Sequence, residues 1–179
     1  GVQDLRHHIS HPQLVDPEDH PRFEALGVVA NFQALWAFPD EYIMTINLPA
    51  VGLERVQSMY PIGSLRLAGA RIVGGSDWSV SSMNPLLAIE TALTRRDPTG
   101  VRPQALNPSE AVTLADMIAA YTINGAYLAH RENQTGRLKP GYKADLVVLG
   151  ANLFDVAASE IGEVPIVMTF FEGQKVYPK

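Results

Sequence analysis

The chain has 179 residues, is 46% hydrophobic and 18% charged, and carries a formal charge of −5. That length allows one sizeable domain, or one with a small second. The charge excludes a basic nucleic-acid stripe, no apolar run approaches the ~20 residues that span a bilayer, and the lack of cysteine excludes disulfides and thiolate metal sites.

The opening "GVQDLRHHISH" enters a strand-like run, Leu5 to Ser10, that ends at His11-Pro12, where proline cannot extend a ladder. A signal-bearing precursor would begin upstream, so localisation is open, with a soluble and by default cytoplasmic protein expected. In "DPEDHPRFEALG", Asp16 suits an N-cap, Pro17 the first helical position and Gly27 the C′ position. Val28 to Gln33 reads as a second, buried strand, and Ala34 to Gly52 as a long loop carrying Trp36, Phe38 and Tyr42. Helical stretches are predicted between Leu53 and Ala70, broken near Pro61-Ile62-Gly63. "RIVGG" is a third strand, followed by Asp77; Asn84 then caps a helix opened by Pro85.

Two further capping signals follow, Asn107 with Pro108 and Glu110, and Thr113 with Asp116. After "TGRLKPG" the period becomes strand-like: "ADLVVLG", "PIVMTFF", and a Glu172-Gly173 turn into "QKVYP". The repeated strand–helix order implies an α/β fold with parallel strands covered by helices. The terminal strands form a small layer of their own, giving domains of residues 1–134 and 135–179.

Without cysteine, a metal must be held by His, Asp, Glu or a Lys-derived ligand, which suits zinc or another divalent ion. In parallel α/β sheets the loops at the carboxyl ends of strands carry the site. His11 ends the first strand and Asp77 follows the third, so both belong to one rim. A hydrolytic metal site uses such a pair: the ion acidifies water and the carboxylate moves its proton. Taken singly, a His at a strand end such as His11 is more often a polar loop residue, and an Asp after Gly-Ser such as Asp77 a turn or cap residue; the pair on one rim raises the site reading of both. His7 and His8 read as structural or surface, and His20 and His130 as solvated. Trp36, Phe38, Tyr42 and Trp78 are candidates for pocket walls. "GGSDWSVSSMNP" lacks the Lys-Ser/Thr ending of a phosphate loop.

The stretches "RHHISHPQLVDPEDHPRFEALGVVANFQ", "GGSDWSVSSMNPLLAIETALTRR", "LADMIAAYTINGAYLAH", "GRLKPGYKADLVVLGANLF" and "VMTFFEGQKVY" together resemble the metal-dependent amidohydrolases. The match is to the amidohydrolase-3 group, which includes N-substituted formamide deformylases. The resemblance implies a (β/α)8 TIM-like barrel with one or two divalent metals, zinc foremost, hydrolysing amide-type C–N bonds in small molecules. His11 falls on the strand-six metal histidine and Asp77 on the strand-eight aspartate, which would bind metal or hydroxide and shuttle the proton. Ser10 stands where the family usually has an acidic residue, which alters how His11 would be oriented.

A complete eight-stranded barrel takes ~250 residues, and the three strands match the family's last three. The expectation is therefore a partial barrel with C-terminal strands of a small β domain, the C-terminal segment of a hydrolase, inactive alone. Three parallel strands leave an open edge and an apolar inner face, so the chain is expected to sit against the rest of its barrel or to self-associate. The alternative is a non-catalytic module that binds a partner through that open face. Neither nucleic acid nor membrane is an expected partner.

Overall fold

The computed structural model describes residues 4–178. Strands β1 (His8–Ser10), β2 (Val29–Phe32) and β3 (Ile72–Gly74) form a parallel sheet in that spatial order. Ser10 pairs with Asn31, and Asn31 with Val73. The first strand is shorter than the expected Leu5 to Ser10, because Arg6 adopts a left-handed φ of 49° and leaves the extended path.

Parallel neighbours need crossover connections, and the sequence supplies them as helices. A 3-10 turn (Pro17–Asp19) leads into α1 (His20–Leu26). Asp16 Oδ1 accepts from the Glu18 N–H at 3.0 Å, and Gly27 closes α1 at φ 65°. The second crossover corrects the expectation of a long loop over Ala34 to Gly52. It holds a 3-10 turn (Ala34–Trp36), a π-helical turn (Ile43–Asn47), then α2 (Leu48–Val51), followed by α3 (Leu53–Val56) and α4 (Ile62–Leu67). The physical reason is burial: Ala34, Ala37 and Ile43 lie in the core, where backbone polar groups must find internal partners. Asp40 assists by accepting from the Ile43 N–H at 2.7 Å.

After β3 come α5 (Pro85–Thr94), α6 (Leu114–Tyr121) and α7 (Ile123–Leu128). Asn84 caps α5 through the Leu86 N–H at 3.0 Å, and Thr113 and Asp116 form the reciprocal capping box of α6. Asn107 makes no side-chain cap, contrary to expectation. Glu110, its supposed partner, instead accepts from the Ser64 N–H at 2.7 Å and from the Ser64 hydroxyl, tying α4 to the segment before α6.

Ala30, Phe32 and Ile72 face the helices and join Phe23, Leu65, Ile89 and Met117 in one core. Asn124 of α7 bonds the outer edge of β3, its Nδ2 donating to the Ile72 carbonyl at 3.0 Å. At the entry to β1, Arg6 reaches Glu132 through Nη1 at 2.8 Å and Nη2 at 2.7 Å, and also donates to the Tyr127 carbonyl. The guanidinium groups of Arg6 and Arg71 each lie 3.9 Å from the Tyr127 ring centroid.

The C-terminal strands β4 (Leu146–Leu149), β5 (Ile166–Phe171) and β6 (Gln174–Tyr177) form an antiparallel sheet, with the expected Glu172-Gly173 turn between the last two. The segment between β4 and β5 returns to the first layer. Leu153, Ile161 and Val164 join the main core, and the Gly162 N–H donates to Glu90 Oε2 at 2.8 Å. Among the described residues no helix is long and apolar enough to cross a membrane.

Candidate functional site

His11 immediately follows β1 and continues its ladder, its N–H donating to the Asn31 carbonyl at 3.1 Å. It then turns the chain with a left-handed φ of 57°, a conformation that strains a side chain bearing a Cβ. Its carbonyl accepts from the Gln13 N–H at 2.7 Å across Pro12. The imidazole is stacked parallel to the Trp36 indole, ring centroids 5.5 Å apart and planes 3° from parallel. Trp36, read as a candidate pocket wall, thus supports the histidine itself.

Asp77 leaves the carboxyl end of β3 after Gly75 and Ser76, and it too is left-handed, at φ 52°. Its carbonyl accepts from the Val80 N–H at 2.7 Å, closing a turn that exposes the carboxylate. Because β1, β2 and β3 run parallel, His11 and Asp77 belong to the same rim of the sheet. β2 separates their strands, so at the usual ~4.8 Å strand spacing the two strand ends are about 10 Å apart.

The rim between them is polar in a way the sequence reading missed. Asn31 Nδ2 donates to Ser10 Oγ at 3.2 Å, which gives Ser10 a structural partner. Asn31 Oδ1 and Gln33 Oε1 are buried without a hydrogen-bond partner, although Gln33 is only 4% exposed. A Cβ on Gly75 would lie 3.0 Å from Asn31 Oδ1 and 3.1 Å from Gln33 Nε2. Glycine is therefore what lets the β3 exit approach these two amides. The alternation Asn31–Gln33 in an otherwise apolar strand was the available signal, since a polar pair at i and i+2 shares one face.

His11 and Asp77 are both exposed, and among the described residues no ion pair or hydrogen bond engages their side-chain donor atoms. An imidazole nitrogen and a carboxylate on one rim are of the donor types a divalent cation takes. Among the described residues, however, no group of three or more His, Asp or Glu is arranged to hold a metal. A catalytic zinc takes three protein ligands, so these two do not make a complete set. The other histidines stay outside: His7, His8 and His130 are exposed, and His20, expected to be solvated, opens α1 with its Nε2 buried and unpartnered. Of the other aromatic candidates, Tyr42 and Trp78 lie on the surface and Phe38 is half-buried. A cavity of about 680 Å³ lies elsewhere, between α6, α7 and β4, lined by Ile118, Tyr121, Ala126, Leu138 and Val147. Its wall is mostly apolar, with Arg131, Arg137 and Asp145 also lining it, and it contains neither His11 nor Asp77.

Comparison with known proteins decides the family. The model of the amidohydrolase family matches residues 1–177. The chain belongs to the amidohydrolase family. It is 34% identical over 181 residues to Protein LONG AFTER FAR-RED 3 of Arabidopsis thaliana, covering 99% of this chain and 30% of that protein. It is 31% identical over 121 residues to the N-substituted formamide deformylase of Arthrobacter pascens, covering 68% of this chain and 22% of that enzyme. Among solved structures, an uncharacterized metal-dependent hydrolase from Pyrococcus horikoshii OT3 superposes with a TM-score of 0.70 at 26% identity, over 84% of this chain and 30% of the other. This amidohydrolase chain therefore spans about a third or less of the proteins it matches.

Proposed function

We propose that this chain is the C-terminal part of a metal-dependent amidohydrolase barrel, acting on amide-type C–N bonds once joined to the rest of that barrel. The observation that carries this is the placement of His11 and Asp77 just beyond the ends of β1 and β3, on one rim of a three-stranded parallel sheet. The three strands stand for the last three βα units, residues 1–134. Residues 135–179 carry the strands of a small β domain, with its 153–164 segment packed back on the barrel layer.

In this reading His11 is a metal ligand, and Asp77 is both a ligand and the proton carrier. A divalent ion, zinc by its liking for imidazole and carboxylate, would supply the Lewis acidity that brings the pKa of water toward ~7. Asp77 takes the proton of the attacking water and returns it to the leaving nitrogen, so that a C–O bond forms as the C–N bond breaks. The substrate is a small molecule held by loops of the same rim.

The test is reconstitution. Joined to an upstream barrel portion, the chain gains tight metal binding and hydrolysis of an amide. Asp77→Asn then lowers turnover ~10²-fold or more, as loss of a general base does. Unchanged turnover removes Asp77 from the mechanism. A second reading, a non-catalytic module that binds a partner through its open barrel face, is favoured by the exposure of all three β1 residues. It predicts no tight metal uptake after reconstitution. Under the first reading β1 is covered by the rest of the barrel or by self-association, and under the second by the partner. A monodisperse monomer of the isolated chain at high concentration counts against self-association.

A further inference from the structure

Three residues with left-handed backbones, His11, Tyr60 and Arg95, are linked through Gln13 and Met59. His11 hands its carbonyl to the Gln13 N–H at 2.7 Å. Gln13 is gripped twice by Tyr60: its carbonyl accepts from the Tyr60 N–H at 2.8 Å, and its Nε2 donates to Tyr60 Oη at 2.8 Å. Tyr60 in turn follows Met59, whose carbonyl accepts from Arg95 Nη2 at 3.0 Å, while Arg95 Nε donates to the Leu106 carbonyl at 2.9 Å. The φ values are 57°, 54° and 58°.

A left-handed non-glycine residue is unfavourable and persists only where its surroundings over-determine it. Burying a guanidinium is also unfavourable, and Arg95 is 0% exposed with Nη1 unpartnered. A chain that merely needed to close the end of α5 has cheaper options, such as glycine. Arginine does something glycine cannot. It spans from the end of α5 to the Met59 carbonyl, fixing the loop from which Tyr60 grips Gln13. Tyr60 is a stable acceptor, because burial pushes its phenol up to about 12 and keeps it neutral in ordinary buffers.

We propose that Gln13 and Tyr60, braced by Arg95, are positioning residues that hold His11 in its left-handed turn and its imidazole flat against Trp36. They thereby set the direction in which its free nitrogen is offered to a metal. The last step rests on the metal-ligand reading of His11; the orientation of the ring does not. Partners that orient a ligating histidine typically change metal affinity 10–100-fold.

The experiment uses the intact 179-residue chain. Ring protons stacked on an indole resonate upfield, so proton–carbon NMR of the histidines reports the His11–Trp36 stack, with His11→Ala assigning the signal. Tyr60→Phe keeps the packing and deletes only the acceptor. Gln13→Leu deletes the donor from the other side. Each variant is expected to lose most of the upfield displacement of His11, and the double variant to lose no more than either, as members of one network do. Thr113→Ala, which weakens the distant α6 cap, is expected to leave the signal in place. Titration with millimolar Co²⁺, read on the same signal, is expected to show about tenfold weaker binding in Tyr60→Phe. Folded Tyr60→Phe and Gln13→Leu proteins that keep the His11 signal where it was overturn the proposal. A His11 signal that moves in both variants upholds the positioning role whatever its response to Co²⁺, since the metal role is decided by metal uptake in the reconstituted barrel.

Discussion

In the parallel sheet, β2 is buried at every residue but Asn31; in the antiparallel sheet, β6 is exposed at all four of its residues. Both runs read as strands in the sequence. The difference lies in their connections. A parallel strand cannot reach its neighbour without a crossover, and each crossover here brings a helix that covers the sheet. The hairpin between β5 and β6 brings only Glu172 and Gly173. One sheet carries its own cover, and the other needs cover from elsewhere. β1 shares that exposure despite belonging to the parallel sheet, since among the described residues it pairs only with β2.

The sharpest way to break this contrast is a pair of matched truncations. Leu65→Ala, at 0% exposure in the first layer, is expected to cost ~2–5 kcal/mol in denaturant unfolding. Val147→Ala, at 49% exposure in β4, should cost under ~0.5 kcal/mol, as surface changes do. Similar losses from the two would mean that the antiparallel sheet is as closed as the parallel one. Gly74→Ala is expected to follow, at ~1–3 kcal/mol, because its new Cβ would lie 2.4 Å from the Tyr121 ring. Thr113→Ala should lose about 1 kcal/mol with its capping box, and Thr113→Ser should restore most of it.

The mildest expected effect is on acid stability at the join between β1 and α7. The hydrogen bonds from Arg6 pull Glu132 down from 4.5 to about 2. A lowered carboxylate contributes stability that is full above its ordinary value and fades as pH falls through its folded one. Thermal midpoints should therefore decline between pH 4.5 and about 2, and Glu132→Gln should flatten that limb. A decline of equal size in the variant would assign the limb to other groups.

Legibility followed locality. The Asp16, Asn84 and Thr113 caps and the Glu172-Gly173 turn were readable because each is a contact within a few residues of sequence. The helical turns of Ala34 to Gly52 were not, since their aromatic and proline content resembles a loop until the core they fill is known. Asn107 failed for the same reason in reverse: its Glu110 partner is claimed by Ser64, which is remote in sequence. Of the candidate site, the strand-end placement of His11 and Asp77 was legible. The Trp36 stack, the Asn31 and Gln33 acceptors and the Tyr60 grip on Gln13 were not.

By itself the order of residues determined that strands and helices alternate, that the first three strands run parallel, and that an imidazole and a carboxylate end two of them. Period, capping and the impossibility of a tight parallel turn suffice for that. Only the tertiary structure decided which backbone bends against its preference and what holds it there. A left-handed histidine is stabilised by groups such as Tyr60 and Arg95, brought beside it from elsewhere in the chain by the packing of the core.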